Sequence, residues 1–230
     1  MLAGMVTGLL HTRCGIPAIL AGILTQLALY SVNLRIMGSK SNQPISVDKY
    51  NLIVSQRFVK ELSFRNPLVP AIVTLVVLIA ILYWFFGTER GASIRATGAN
   101  EHMARAQGIN TNVNKVLGLA LSNGLVAFAG ALLCQYQSYA EINMGRGAIV
   151  IGLASVIIGE VAFSRLFRNF ALKLLSVSLG AIIYYIVIQA VISLLKIDSN
   201  YLKLISALIV AFFLAVPYWK SQLKPAKASK

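Results

Sequence analysis

Residues 90–115 read RGASIRATGANEHMARAQGINTNVNK and form the longest polar interruption between two strongly apolar runs in the second half of the chain. This segment contains its own helix signals. Asn100 can cap the start of a helix, and Gly108 can adopt the left-handed backbone conformation that ends one. Between them, Glu101 and Arg105 are four residues apart, so their side chains can pair on one face of a helix. Together these signals predict a short surface helix.

The predicted helix runs from Glu101 to Gln107, about two turns. A helix of this length is marginal in water on its own, so we expect it to dock on another surface. The alternative is that residues 90–115 are a solvated loop that only links two membrane spans. Periodicity alone does not separate these two interpretations.

Composition indicates an integral membrane protein. Of the 230 residues, 57% are hydrophobic and 12% are charged, which is too little polar surface to cover a soluble globule of this size. The formal net charge of +14 would suggest nucleic-acid binding in a soluble protein, but here the basic residues gather between apolar runs. That pattern is typical of membrane topology, so a nucleic-acid partner is rejected. Cys14 and Cys134 lie in or beside apolar segments without a CxxC motif, and no disulfide framework or metal site is predicted.

The apolar runs predict an all-α, polytopic membrane protein with about six or seven transmembrane helices, one of them partial or broken. Met1–Leu10 is too short to cross a bilayer and is expected to be the tail of a helix whose beginning is absent from this chain. Ala148–Gly159, the apolar part of another run, is also short, so a re-entrant helix is an alternative to a span there. The predicted spans are Ile16–Ile36, Leu68–Phe86, Val113–Tyr136, Gly145–Phe163, Leu174–Leu195 and Leu204–Trp219.

Two of these spans are rich in small residues at spacings of three and four, which favours close packing against other helices. The small residues of the third span are Gly118, Ala120, Gly124, Ala127, Gly130 and Ala131. Those of the fourth are the pairs Ala148/Gly152 and Ser155/Gly159.

Ser39–Asn66 is a long polar loop between the first two spans. Within it Val54, Phe58 and Leu62 recur at helical spacing, which predicts a short amphipathic helix lying on the membrane surface.

Basic residues set the expected orientation. When the spans are threaded so that the central loop and the C-terminus share a side, twelve of the 21 Lys and Arg residues fall on that side and nine on the other. Because cytoplasmic loops are enriched in Lys and Arg, we place the central loop and the C-terminus in the cytoplasm. The expected organisation is one transmembrane domain over residues 1–219, with a cytoplasmic loop at 90–112, followed by a basic cytoplasmic tail at 220–230.

Little in the sequence points to catalysis. The GxxxxGK[ST] motif is absent, so the chain does not bind ATP through a P-loop of its own. No two of the seven acidic residues have a spacing that would hold Mg²⁺ with a diphosphate. Glu160 is a candidate proton carrier, but a structural pair with the nearby Arg165 is favoured. Polar side chains within the spans either line a path for solute or form interhelical hydrogen bonds. They are Gln26, Asn33, Ser122, Asn123, Gln135 and Gln189.

A longer run that includes the central loop closely resembles a known family. RATGANEHMARAQGINTNVNKVLGLALSNGLVAFAGALL is similar to the permease subunits of ABC importers of the branched-chain amino acid and ribose transporter group. Their G-x-N-x-x-x-A-x-x-x-G-I-N pattern is complete here, at Gly98, Asn100, Ala104, Gly108, Ile109 and Asn110. The later GLASVIIGEVAF, Gly152–Phe163, is similar to the family's G-x-A-x-x-x-x-G segment. The resemblance covers residues 87–217 well and the earlier part more loosely.

The resemblance implies a non-catalytic permease subunit in a bacterial-type plasma membrane. Its short helix would be the cytoplasmic coupling helix that rests on a separate ATPase subunit, and a bulky residue at Ala104 would clash with that subunit if the Ala104 face is the docked one. The residues assigned to coupling are Gly98, Asn100, Glu101, Ala104, Arg105, Gly108 and Ile109. ATP and Mg²⁺ would be bound by the ATPase, with no cofactor or metal in this chain. The other expected partners are the lipid bilayer, a second, identical permease subunit, which makes a homodimer, and an extracytoplasmic solute-binding protein.

Two other classes of function stay open. A secondary transporter driven by an ion gradient is the main rival, and it would rely on Glu160. A structural or assembly protein of the membrane would explain the small-residue faces but not the central helix with its own start and stop signals. Among solutes for an ABC importer, an amino acid, hydrophobic or aromatic, is the first expectation, and a sugar or nucleoside is the second.

Overall fold

A computed structural model describes residues 1–46, 52–54, 66–145, 148–163 and 169–195, together with five residues of the last predicted span, Leu204, Ala207, Leu208, Ala211 and Ala215. The contacts fall into two groups, residues 1–144 and residues 145–230. The described elements are, in order, α1 (Leu2–Thr12), α2 (Ala18–Ile36), β1 (Asn42–Pro44), α3 (Leu68–Gly87), α4 (Glu89–Ala99), α5 (Glu101–Ala106), α6 (Thr111–Gln137), β2 (Tyr139–Glu141), α7 (Ala148–Phe163) and α8 (Phe170–Leu195).

The predicted class is confirmed: the described chain is almost entirely helical, and four of its helices are long and apolar enough to cross a membrane. These four are Ala18–Ile36, Leu68–Gly87, Thr111–Gln137 and Phe170–Ser193. With no charged side chain over its length, α3 has the most apolar composition of the four. Its aromatic end at Tyr83 and Trp84 suits the membrane interface.

The first group is built around α6, which α1 crosses closely. A Cβ on Gly4 would overlap the carbonyl oxygen of Leu119, and a Cβ on Gly8 would lie 2.8 Å from the Cα of Val116. The two glycines are four residues apart and so share one face of α1. The glycines of α1 let the two backbones approach, and of the small residues noted on α6, Ala120 lies against Gly4 and is buried.

One hydrogen bond joins α1 to the helix that follows it. On α1, the hydroxyl of Thr7 donates to that of Thr25 on α2 at 2.9 Å, and both side chains are buried. At the other end of α6, Ser138 takes a left-handed conformation with φ 62° and leads directly into β2.

A two-stranded antiparallel ribbon is the one departure from the all-helical prediction among the described residues. β1 pairs with β2 so that Gln43 lies opposite Ala140. Next to the ribbon, the backbone N–H of Ile53 donates to Oε1 of Gln135 at 3.1 Å, which holds the long loop to the end of α6. Three-residue strands have no periodicity that a sequence pattern can reveal.

The second group contains an antiparallel pair, α7 and α8. A Cβ on Gly180 would overlap the carbonyl oxygen of Ser155 and lie 2.7 Å from the backbone nitrogen of Gly159. A Cβ on Gly159 would in turn overlap the carbonyl oxygen of Ser176. The Ser155/Gly159 spacing noted in the sequence is therefore the contact surface, and it faces a matching Ser176/Gly180 pair. Tyr184 is fully buried beside this contact, packed with Ala154 and Ile158.

α7 is a single unbroken helix of 16 residues. At 1.5 Å per residue it is about 24 Å long, less than the roughly 30 Å of a bilayer core. The predicted break within this run is therefore not seen, and whether α7 spans or re-enters stays a prediction. The amphipathic helix at Val54, Phe58 and Leu62 lies mostly outside the described residues. Also outside them are Arg165, the tail at 220–230 and most of the Leu204–Trp219 span.

Candidate functional site

The short central helix is present with the predicted caps. α5 begins after Asn100, whose Oδ1 accepts a hydrogen bond from the backbone N–H of Met103 at 3.0 Å. It ends at Ala106, one residue before the predicted end, and Gln107 is its C-cap. Gly108 has φ +78°, the left-handed conformation predicted for it. Two residues later, Asn110 caps the next helix, because its Oδ1 accepts from Val113 N at 3.2 Å. The G-I-N triplet thus ends α5 and starts α6.

One helix beside it was not predicted. α4 occupies Glu89–Ala99, which the sequence analysis treated as loop. It begins at Thr88, whose Oγ1 accepts from Gly91 N at 3.3 Å. A Cβ at Gly91 would overlap Phe85 O and Phe86 Cα, so glycine is needed where α4 turns back on α3. The Thr88–Glu89 start is an ordinary N-cap signal, but the two glycines and Thr97 of α4 are poor helix formers and obscured it.

Glu101 joins α5 to the first turns of α6. Its Oε1 lies 2.9 Å from Arg105 Nη2, the predicted pair, and 2.8 Å from Lys115 Nζ, which was not predicted. Thr111 Oγ1 donates to the same oxygen at 3.3 Å. The hydrogen bond from Lys115 is the main cause that lowers the pKa of Glu101 below its ordinary value, although partial desolvation opposes it. The carboxylate is therefore ionised at neutral pH and the network is intact.

Asn114 joins α4 to α6 at the same level. Its Nδ2 donates to Ser93 Oγ and to Thr97 Oγ1, each at 2.9 Å. Asn114 is 4% exposed and Thr97 is also buried, so these bonds are shielded from solvent. The neighbouring residues Asn114 and Lys115 therefore hold the two polar helices to one turn of α6. Nothing in the local sequence of Asn114 signals this role, because its partners lie 17 and 21 residues earlier.

The two sides of α5 differ, and Ala104 lies on the inner one. Ala104 is 3% exposed and faces the protein's own interior, so it is not on an outward, docked face. A helix of six residues has no apolar stripe long enough to reveal its inner side from sequence. The outward side contains His102, Met103, Ala106 and Gln107, and Met103 is 64% exposed.

The remaining residues assigned to coupling lie at the edges of this helix. Gly98, in the last turn of α4, is exposed, and a Cβ there would have no atom within 4 Å in the described chain. Ile109 is half-buried, and its backbone N–H donates to Ala104 O at 3.1 Å, which closes the end of α5. Their functional assignment stays a prediction, as does that of the other coupling residues.

The six polar residues considered for a solute path are placed on three helices. Among the described hydrogen bonds none joins two of them. Gln26 and Asn33 are exposed on α2, Ser122 is exposed on α6 and Gln189 is exposed on α8. The other two have local partners: Asn123 donates to Leu119 O of its own helix at 3.0 Å, and Gln135 accepts from Ile53 N. The path assignment stays a prediction, and Gln135 already has a structural role. Glu160, the candidate proton carrier, is exposed on α7.

The sequence matches a permease family over nearly its full length. Residues 1–216 fit the family described as "branched-chain amino acid transport system / permease component". The chain is 37% identical to the tyrosine transport system permease protein of Clostridioides difficile over 226 residues, 98% of this chain and 72% of that protein. It is 32% identical to an uncharacterized protein of Rickettsia prowazekii, covering 90% of this chain and 71% of that protein.

A more distant relative comes from sugar transport. The galactose/methyl galactoside import permease protein MglC of Escherichia coli is 28% identical over 70% of this chain and 48% of its own length. No solved structure matches. The family pattern, complete at the central loop, and the match over residues 1–216 agree, and the chain belongs to the branched-chain amino acid transport permease family, the multi-pass membrane permeases of ABC transporters.

Proposed function

We propose that this chain is the permease subunit of an ATP-driven importer and that its solute is an aromatic amino acid, with tyrosine the first choice. The tyrosine transport permease that is 37% identical over 98% of this chain supports the solute. The sugar permease covers less of the chain at lower identity, so a sugar is the second choice.

The observation that carries the proposal is the two-sided character of α5. Its inner side is bound to α6 through Glu101 and buries Ala104, whereas its outer side leaves Met103 64% exposed beside His102 and Gln107. A helix of six residues held so firmly, with an exposed apolar side chain on its free side, is suited to receive a partner. In this proposal the partner is a separate ATPase subunit, and the docked face is the Met103 side.

The mechanism is conformational. ATP and Mg²⁺ are bound by the ATPase pair, and closure of that pair displaces α5. Because α5 and α4 are fixed to α6, the displacement moves α6 as a unit and biases the permease between outward and inward states. This chain supplies no bond-breaking step. A second copy of the chain completes the path, a solute-binding protein delivers solute from outside, and the basic central loop lies in the cytoplasm.

An importer driven by an ion gradient is the competing function. It would use Glu160, the acid that the sequence places within an apolar run, and it would leave the fixed helix α5 without a purpose. That α5 is capped, braced and exposed on one side favours the ATP-driven mechanism.

The experiment is uptake of labelled tyrosine by proteoliposomes that contain the chain, its ATPase and its binding protein. Uptake is expected to require ATP on the ATPase side and to persist when an ionophore removes the proton gradient. Uptake without ATP that collapses with the ionophore would refute the ATP-driven mechanism. Competition by unlabelled phenylalanine, leucine or galactose separates the solute classes, and competition by galactose alone would overturn the amino-acid assignment.

A further inference from the structure

The link between α5 and α6 is a short backbone turn strengthened by one side chain. Residues 107–110 connect the two helices, and Gly108 within them has φ +78° and open space around its Cα. A backbone turn of this kind absorbs rotation easily, because glycine is conformationally permissive. A force applied to α5 would therefore bend the turn before it moved α6, unless another contact crosses the turn.

Glu101 makes that contact. Its Oε1 receives hydrogen bonds from Arg105 on α5 and from Lys115 and Thr111 on α6. Arg105 Nη2 also donates to Thr111 Oγ1 at 3.0 Å, which closes a ring of polar contacts across the turn. Thr111 is 2% exposed, so one corner of this ring lies in the protein interior while the carboxylate is at its edge.

The charges in the ring hold α5 in one orientation relative to α6. Charge-assisted hydrogen bonds are shorter and stronger than neutral ones, and a lysine that reaches the carboxylate from α6 resists rotation of α5 away from it. The cap at Asn100 has a different effect: it keeps α5 helical but contacts no residue of α6 in the described hydrogen bonds.

We propose that Glu101 is a positioning residue for energy coupling, which fixes the direction of α5 relative to α6 so that movement imposed by the ATPase reaches the membrane span. This inference rests on the proposed function. It assigns Glu101 to a contact inside this chain, and it leaves the Met103 side of α5 for the ATPase. A coupling free energy of the usual size corresponds to about a fivefold change or more.

The test measures solute molecules transported per ATP hydrolysed in the reconstituted complex. Glu101→Gln and Lys115→Gln are each expected to lower this ratio about fivefold or more, because each removes one charge of the ring. Lys115→Arg keeps a positive charge that reaches the Glu101 carboxylate from α6, and it is expected to keep much of the ratio that Lys115→Gln loses. Glu89→Gln is the matched control, since Glu89 is an exposed acid in the first turn of α4 outside the ring, and its ratio is expected to stay at the wild-type value.

The outcomes distinguish failure of the proposed function from failure of the role assigned to Glu101. A wild-type complex without ATP-dependent uptake overturns the proposed function together with this inference. A wild-type complex that couples, with Glu101→Gln at the same ratio, overturns the inference alone. If Glu101→Gln and Lys115→Gln reduce the amount of folded protein but leave the ratio unchanged, or if Lys115→Arg loses as much of the ratio as Lys115→Gln, the charge pair does not set coupling and the inference is also wrong.

Discussion

The contact between α7 and α8 and the joint between α5 and α6 are held by opposite means. The backbones of α7 and α8 touch because glycines have no side chains there: Gly159 and Gly180 each lie against the backbone of the other helix. α5 and α6 are instead connected through long side chains, by the ion pair between the carboxylate of Glu101 and the ammonium of Lys115. The first contact joins two apolar helices, and the second lies in the polar central segment, residues 90–115.

The difference follows from the surroundings. Between two helices in lipid there is no hydrophobic driving force, so stability comes from close backbone packing, which tolerates no added atoms. At a polar boundary, long side chains can pair while part of each remains hydrated, and such a contact tolerates changes of shape but depends on charge. We therefore expect changes at the glycine contact to abolish the folded protein, and changes at the polar joint to leave it folded but alter its behaviour.

The largest effect is expected at the α7–α8 contact. Gly159→Leu and Gly180→Leu each force the helices apart, because even a Cβ overlaps backbone atoms at these positions. A destabilisation of about 3 kcal/mol, the upper end for overpacking, is expected for each. Folded protein measured by size-exclusion chromatography of a fluorescent fusion should fall to near background. Gly152→Ala is the control, since a Cβ there meets no atom within 4 Å. Normal amounts of folded Gly159→Leu protein would refute this packing.

A smaller loss of stability is expected at Asn114. Asn114→Ala leaves the buried Thr97 hydroxyl and the half-buried Ser93 hydroxyl without their α6 donor, which costs about 1–3 kcal/mol. The thermal unfolding midpoint in detergent is expected to fall while the protein still inserts and folds. Asn123→Ala removes an amide of the same helix whose described hydrogen bond, to Leu119 O, stays within α6, and it should shift the midpoint less. Equal shifts for the two variants would contradict a buried bridge between α4 and α6.

The cap of α5 is expected to have a local effect. Asn100→Ala removes the acceptor for Met103 N and should cost about 1 kcal/mol of helix stability, whereas Asn100→Asp keeps an acceptor oxygen. Hydrogen exchange of the α5 amides should become faster in the alanine variant and stay near the wild-type rate in the aspartate variant. Unchanged exchange in Asn100→Ala would mean that the cap does not hold the helix.

The smallest effect is expected from pH. Lys115 holds the pKa of Glu101 below its ordinary value of 4.5, so the stabilising charge is fully present above that value and is lost only as pH falls through the lower folded-state pKa. From about pH 8 to about pH 5 the exchange protection of α5 should therefore not change on account of Glu101. The measurement uses a His102→Gln background, which removes the neighbouring imidazole. Loss of protection already near pH 6 would contradict the ion pair.

The sequence predicted α5 well because its signals are local. Asn100 and Gly108 act on backbone groups within three or four residues of themselves, and a pattern of residue types captures such contacts. Small residues at spacings of three and four likewise predicted that α6 and α7 pack closely against other helices. They did not identify the partners, since Gly4 on α1 and Gly180 on α8 are joined to them by tertiary structure alone.

The errors have the same origin. α4 was not predicted because its own helix propensity is weak. It is stabilised by Asn114, which lies on another helix. Lys115 reaches Glu101 across a turn whose path the sequence does not specify. Whether Ala104 lies on the outward face was left open by the sequence, because a two-turn helix has no long stripe of apolar residues. Its burial comes from tertiary contacts.

The central claim, that the outer side of α5 receives the ATPase while its inner side is bound to this chain, can be tested by cross-linking. In a background with Cys14→Ser and Cys134→Ser, single cysteines replace Met103 or Ala104, and the assembled complex is treated with a short thiol-to-amine cross-linker. Met103 is 64% exposed and Ala104 is 3% exposed, so the account predicts a cross-link to the ATPase from Met103→Cys and none from Ala104→Cys. A cross-link of equal yield from Ala104→Cys, or its absence from Met103→Cys in a complex that still hydrolyses ATP, would contradict it.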